Sequence, residues 1–273
     1  MTQALDVHAL ARRIRAAQDE ARPIEPFTAQ FSGFDLPAAY DVAHLNHQRR
    51  LAEGTVPVGR KIGFTNPDMW ARYGVRQPIW AHVYDSTVVH ARDSPAACSL
   101  ARFVQPKIEP EIVLHFRTAP PAGGDLAAIL GCVDWIAHAF EIVQCHFPGW
   151  KFEAADAVAD DTLHAALWLG EPQPVDALGS DLPAALERFS VALSCDGTLR
   201  ETGRGSNVLG SPLAAVAHLI EVLARQPQFR PLQAGEMVTT GTVTTALPVH
   251  AGETWRTELD GIALPGLSLA FVA

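Results

Sequence analysis

Residues Lys107-Ile108-Glu109-Pro110-Glu111-Ile112-Val113-Leu114 constrain this chain more than any other stretch. Ile108, Ile112, Val113 and Leu114 are bulky and β-favouring, so the stretch reads as part of a central strand over 104–116. Residues two apart on a strand share a face, so Glu109 and Glu111 project together. Two neighbouring carboxylates repel, and a bound cation, a shared proton or bulk water must offset that. The apolar flanks weigh against simple exposure. Pro110 cannot donate to a ladder, which predicts an edge, a bulge or a strand end. A third acid in apolar company is Glu141, within Ala139-Phe140-Glu141-Ile142-Val143. Three such carboxylates suit a hard, oxygen-seeking cation such as Mg²⁺ or Mn²⁺. The plainer alternative is a solvated strand face.

With 273 residues, 48% of them hydrophobic, the chain can bury a sizeable core. A formal net charge of −9 argues against nucleic acid as a partner. It does not bar an anionic substrate, because a bound divalent ion reverses the local field. Cys98, Cys132, Cys145 and Cys195 form no CxxC pair and read as buried thiols of a reducing compartment. Residues 1–20 carry charges throughout and lack the apolar segment of a signal peptide. No apolar run approaches the roughly 20 residues that span a bilayer. The expected setting is the cytoplasm, with no membrane partner.

Along the chain, Val7, Leu10, Ile14 and Ala17 recur at helical spacing. Asp35 predicts the cap of a second helix to about Leu51, with Pro37 in its first turn. His44 and His47 on that helix read as surface residues. Lys61 sits in Val58-Gly59-Arg60-Lys61-Ile62-Gly63, where the glycines allow unusual backbone angles or the close approach of a ligand. Asn66-Pro67-Asp68 predicts a short helix. Asp85 closes an apolar stretch that begins at Ile79, and reads first as a turn former. Residues 126–138 read as an apolar helix leading to Glu141, and residues 150–161 as a charged surface loop before a strand over 163–169. Asp196-Gly197 predicts a hairpin turn, Ser211-Pro212 opens a helix, and the chain is β-rich from Gly235 onward. The whole reads as helical material followed by a β-dominated body with inserted helices. HExxH, GxSxG, Walker and dinucleotide patterns are absent.

Taken in order, several motifs form a specific set. They are Val58-Gly59-Arg60-Lys61-Ile62-Gly63, Ile108-Glu109-Pro110-Glu111-Ile112, Phe140-Glu141-Ile142-Val143, Trp150-Lys151-Phe152 with Val158-Ala159-Asp160, Gly203-Arg204-Gly205-Ser206 with Leu209-Gly210, Thr240-Gly241-Thr242, and Pro248-Val249-His250-Ala251-Gly252. The chain resembles the 2-keto-4-pentenoate hydratase and 4-oxalocrotonate decarboxylase branch of the fumarylacetoacetate hydrolase superfamily. The resemblance implies an α+β fold, a mixed β-roll catalytic domain over 58–273 with an N-terminal helical region over 1–57 packed on it. It implies a metal site at Glu109, Glu111 and Glu141 for Mg²⁺ or Mn²⁺. The metal would chelate the carboxylate and C2 oxygen of a short 2-oxo or 2-hydroxydienoate acid, with Lys61 on the C2 oxygen. A lysine out of water beside a cation would have a lowered pKa. Asp85 is a second catalytic candidate, and Lys151, Asp160, Asp161, Leu163 and Thr242 are the substrate-binding candidates. A homo-oligomer is expected, in aromatic-compound catabolism.

The implied reaction is hydration of a substrate like 2-hydroxypenta-2,4-dienoate. The alternatives are decarboxylation of a 2-oxo-enedioate, C–C hydrolysis of an acylpyruvate, and a family member kept for binding alone. For the hydrolysis no His–Glu pair can be assigned. Where many members read Ala-Asp-Asn-Ala-Ser, this chain has Ala159-Asp160-Asp161-Thr162-Leu163, and Leu163 offers no hydroxyl. Where many read Gly-His-Pro-Leu, it has Gly210-Ser211-Pro212-Leu213.

Overall fold

The computed structural model describes residues 5–67, 70–73, 75–91 and 95–273, so the expected helix-start residue Asp68 lies outside the described residues. Helix α1, Val7–Asp19, begins where the Asp6 carboxylate accepts the Ala9 N–H at 3.0 Å. Helix α2, Leu36–Ala52, begins likewise, Asp35 accepting from Ala38 at 3.1 Å with Pro37 in the first turn. Each cap satisfies a donor the helix cannot use. Leu10 and Ile14 of α1 and Tyr40 and Val42 of α2 share one core with Ile62, Ile112 and Leu114 of the body. The helical region is thus packed on the strands through apolar burial.

The body contains β1 Pro57–Gly63, β2 Ile79–Tyr84, β3 Val88–His90, β4 Ala96–Ser99, β5 Lys107–Phe116, β6 Val133–Val143, helix α3 Ala154–Ala159, β7 His164–Leu169, β8 Gln173–Pro174, β9 Ser190–Cys195, β10 Thr198–Arg204, helix α4 Pro212–Ala224, β11 Met237–Thr239, β12 Leu247–Pro248, β13 Thr254–Asp260 and β14 Ser268–Val272. The larger sheet runs β2-β1-β11-β5-β6-β7-β3, with β12 also on β5 and β8 on β6; the smaller runs β10-β9-β13-β14-β4. Pairs β1/β11, β3/β7 and β4/β14 are parallel and the others antiparallel, which makes both sheets mixed. Ile108, Phe140, Leu193, Trp255 and Phe271 fill a second core contributed by both sheets.

Four expectations change. β5 is neither an edge nor ended at Pro110, which pairs with Phe140 inside the β5/β6 ladder. On the other flank β11 stops at Thr239 and β12 resumes at Leu247, and in the gap the Val243 N–H donates to the Pro110 carbonyl at 3.0 Å. The N–H and C=O of one strand residue point the same way, so the donor that proline lacks would face this interruption. Residues 126–138 are mostly strand: a short helix, Leu126–Leu130, ends at Gly131, and β6 follows from Val133. Residues 154–159 form a buried helix rather than a surface loop, with Asp156 and Asp160 at 0% and 1% exposure. Finally, Gly205–Ala224 is long and apolar enough to cross a membrane by composition, at 20 residues and a mean hydropathy of 1.5. Half of it is buried, and Leu213, Val216, Leu219 and Leu223 of α4 face the protein core.

Candidate metal centre and active-site cleft

Strand register assembles the site. Glu109 stands opposite Glu141 across β5 and β6, and Glu111 opposite Ala139. Thr239 of β11 pairs with Val113 of β5 and with Lys61 of β1. Side-chain alternation then puts Lys61, Glu109, Glu111, Glu141 and Thr239 on one face. The same face continues into a small apolar cluster containing Val113, Ala137, Ala139, Leu167 and Leu169. The carboxylates therefore stand at the rim of a dry interior.

Carboxylate oxygens of Glu109, Glu111 and Glu141 lie within 4.8 Å of one another. Glu111 and Glu141 are 1% and 0% exposed, while half-buried Glu109 lines the cleft. Glu111 Oε2 accepts the Gly241 N–H at 2.9 Å and the Thr239 hydroxyl. Gly241 makes that bond from a backbone with φ +101°, a region few other residues enter. Glu111 Oε1 has no hydrogen-bond partner. Glu141 Oε1 is 2.7 Å from His164 Nδ1, and its Oε2 is 3.1 Å from the Lys61 ammonium. Lys61 also donates to the Thr162 carbonyl at 3.0 Å. A Cβ at Gly63 would meet Thr162 Cγ2 at 2.7 Å, so what comes close beside Lys61 is the fold's own chain.

The charges follow from burial and these partners. Burial raises the Glu109 carboxyl to about 7, against the pull of Lys61. Burial, then Glu141 and Glu109, holds Glu111 well above the usual carboxylate range. Burial pushes Glu141 the same way, but Lys61 and His164 outweigh it and bring the group down to about 2. For Lys61, burial lowers the pKa, yet Glu141, Glu109 and Glu111 together raise it. The lowering expected above is that of a lysine beside a bound cation, a different charge balance from the acids alone. A cluster with one firm anion and two acids that retain protons is one that a cation can enter by displacing those protons. Its donors are all oxygen, it has an unpartnered buried oxygen, and its spacing is short, so it fits a hard divalent ion.

The cleft above is lined by Lys61, Phe64, Glu109, Trp150, Phe152 and Leu163 among others. Phe64, Trp150, Thr162 and Leu163, all on its loops, have φ between 51° and 65°. Non-glycine residues in this region carry strain that surrounding structure must hold, and such strain collects at functional sites.

Of the candidates, Lys61, Glu109, Leu163 and Thr242 line the cleft, and Glu111 and Glu141 converge with Glu109. The other four do neither. Asp85 is exposed and accepts the N–H groups of Val56 and Ser86, at 3.1 and 2.8 Å, so it forms a turn. Lys151 is exposed, between two aromatic residues that do line the cleft. Asp160 is buried against His146 Nδ1 at 2.8 Å. Asp161 faces away and pairs with Arg50 at 2.6 Å. His47, read as a surface residue, is half-buried, its ring stacked on His82 with centroids 3.7 Å apart. Sequence reasoning missed Thr162, whose contribution is a backbone carbonyl and has no sequence signal. It also missed His164, a lone histidine opening an apolar strand, and Thr239, beside the Thr240-Gly241-Thr242 motif.

Over 257 residues the chain is 32% identical to a 2-keto-4-pentenoate hydratase of Paraburkholderia phymatum, covering 94% of each chain. The chain belongs to the 2-keto-4-pentenoate hydratase and 4-oxalocrotonate decarboxylase branch of the fumarylacetoacetate hydrolase superfamily. Among solved structures it is similar to a 4-oxalocrotonate decarboxylase from Pseudomonas putida G7, complexed with magnesium and adipate. That similarity has a TM-score of 0.88 at 27% identity, over 99% of this chain and 100% of that one. A fumarylpyruvate hydrolase from Pseudomonas aeruginosa, in complex with Mn²⁺ and pyruvate, shares the fold, with a TM-score of 0.58 at 17% identity over 80% and 90% of the two chains. No protein-family model matches. Membership of this branch makes the protein an enzyme of the hydratase and decarboxylase kind.

Proposed function

We propose that the protein is a divalent-metal-dependent hydratase of a short 2-hydroxydienoate, of the 2-hydroxypenta-2,4-dienoate kind, in aromatic-compound catabolism. One observation carries this: three carboxylates with an unpartnered buried oxygen lie beside Lys61 under an aromatic-walled cleft. Glu109, Glu111 and Glu141 would hold Mg²⁺ or Mn²⁺. When bound, such an ion supplies Lewis-acid polarisation and a template for an α-oxo or α-hydroxy acid. Lys61, hydrogen-bonded to Glu141 and the Thr162 carbonyl, would present a remaining Nζ–H to the substrate's C2 oxygen and hold a proton there. Glu141 keeps that ammonium in place, and His164 keeps Glu141 in place. Phe64, Trp150, Phe152 and Leu163 exclude water from the rest of the substrate.

Assay of 2-hydroxypenta-2,4-dienoate with and without chelator tests the reading. Turnover lost in chelator and restored by Mg²⁺ or Mn²⁺ supports it; no turnover with metal bound refutes it. Decarboxylation of a 2-oxo-enedioate is the second reading, favoured by the likeness to the Pseudomonas putida decarboxylase. Acylpyruvate hydrolysis has less support. The His164–Glu141 pair is next to the site, but His164 Nε2 is 2.9 Å from the Thr87 hydroxyl and His164 does not line the cleft. The same reading puts a homo-oligomer in the cytoplasm, with neither nucleic acid nor membrane as partner. Light scattering and fractionation test those two points.

A further inference from the structure

We infer that Gln18 and Arg50, on the two N-terminal helices, are positioning residues for Lys61 and act through the turn at 161–163. The inference rests on the reading of Lys61 as the group that meets the substrate. A lysine ammonium carries three hydrogens. Glu141 and the Thr162 carbonyl engage two of them, at 3.1 and 3.0 Å, and so aim the third. Where that hydrogen points is set by where the Thr162 carbonyl stands.

Thr162 stands in a turn that its residue types do not favour. Asp161, Thr162 and Leu163 have φ of 50°, 51° and 65°, three successive non-glycine residues in the left-handed region. Such residues enter that region singly as a rule, and a run persists only where the surroundings hold it. Two backbone bonds help: the Leu163 N–H donates to the Asp160 carbonyl at 2.7 Å, and the Gln144 N–H to the Leu163 carbonyl at 2.8 Å. Further ties come from far along the chain. Gln18 Nε2, on α1, donates to Asp160 Oδ1 at 3.1 Å and to Asp161 Oδ2 at 3.2 Å. Arg50, on α2, donates to Asp161 Oδ2 at 2.6 Å and to Gln18 Oε1 at 3.0 Å. Its guanidinium is seated over the Tyr84 ring, 5.1 Å from the ring centre. One side chain from each helix grips the start of the turn, and the two grip each other.

This grip lies outside the catalytic cleft. Gln18, Arg50 and Asp161 line a second cavity that shares no lining residue with the cleft. Removing Gln18 or Arg50 therefore deletes no wall of the cleft and no glutamate. What it frees is the turn, and with it the Thr162 carbonyl. Lys61 then keeps Glu141 but loses its second fixed partner, and its third hydrogen is no longer aimed. Misalignment at the reacting atoms costs rate more than binding. Asparagine at 161 keeps an acceptor for both donors, so that exchange leaves the grip closed.

Arg50→Met and Gln18→Leu, which keep bulk and remove the polar contacts, test the inference. Steady-state kinetics on 2-hydroxypenta-2,4-dienoate with Mn²⁺ should show kcat lowered at least about tenfold in the first and threefold in the second. KM and Mn²⁺ affinity should stay within about threefold. In metal-free protein, hydrogen exchange read by mass spectrometry should be at least about tenfold faster in peptides that contain Leu163 and Gln144, whose amides close the turn. A smaller fall in kcat in folded Arg50→Met overturns the inference and leaves the reading of the cleft standing. If Arg50→Met does not fold, Gln18→Leu, which strands no charge, decides alone. A lower kcat with unchanged exchange overturns it too, as does a matching loss of Mn²⁺ affinity, which marks general damage to the site. No turnover by the native protein with metal bound overturns the reading of Lys61, and the inference with it.

Discussion

Replacing Lys61 by methionine should unbalance the site in a way that depends on pH. Methionine keeps the length of the stem and removes the charge. Glu141, 0% exposed, then loses the ammonium 3.1 Å from its Oε2 and keeps His164. A buried carboxylate without its cation can escape by taking up a proton, and the cost of doing so bounds the damage. From an ordinary carboxyl value of 4.5, protonation at pH 7 costs at most about 3.4 kcal/mol, at roughly 1.36 kcal/mol per unit. The Thr162 carbonyl, left without the Lys61 donor, adds about 1 kcal/mol. The total near pH 7 is about 4 kcal/mol, or roughly 10 °C in Tm for a chain of this size. The native Glu141 pKa of about 2 means that it stays ionised in folded and unfolded protein alike above pH 5. In the variant its folded pKa is raised, so stability is retained below 4.5 and lost as pH rises. Thermal unfolding in chelator, followed by near-UV circular dichroism, should show a gap of about 2 kcal/mol at pH 5 widening to about 4 kcal/mol at pH 7. Added Mn²⁺ should close most of it. A gap below about 1 kcal/mol at pH 7, or one that does not move with pH, would refute Lys61 as the counter-charge of Glu141.

Glu111→Gln should weaken Mn²⁺ binding at least about 100-fold while stability in chelator holds or rises, because a group already pushed toward its neutral form gives way to a neutral one; calorimetry and thermal melts read the two effects separately. Apparent Mn²⁺ affinity should fall about tenfold per pH unit below about 7, where Glu109 takes up a proton that the ion must expel. In chelator the sign reverses: a raised folded pKa gives stability that is full below 4.5 and lost as pH rises through about 7, and a pH series of melts checks it. Asp161→Asn should leave kcat/KM within about threefold and cost about 1 kcal/mol of stability, because its carboxylate serves Arg50 rather than the cleft; steady-state kinetics and a melt distinguish these.

Much of the fold was legible because its signals are local. Asp35 caps a helix, and Asp196-Gly197 turns a hairpin. The paired acids of β5 were legible because strand alternation is fixed by geometry, and Glu141 because an acid among large apolar residues needs a reason. What stayed hidden depends on tertiary context. Pro110 is tolerated in a central strand only because a neighbouring strand is interrupted there. Asp160 and Asp161 share a motif, but backbones of φ 50° to 65° over 161–163 turn Asp161 toward Arg50 and Leu163 into the cleft. Lys151 misses the cleft that its neighbours Trp150 and Phe152 line, for an alternation no local rule anticipates.

Diffraction from a crystal soaked with Mn²⁺ and oxalate, at a wavelength where manganese scatters anomalously, tests the central claim most directly. The account predicts one anomalous peak bonded to oxygens of Glu109, Glu111 and Glu141 at about 2.0–2.3 Å, with oxalate chelating the ion and Lys61 Nζ within hydrogen-bond reach of it. A peak elsewhere, or none between these carboxylates at saturating Mn²⁺, would contradict it.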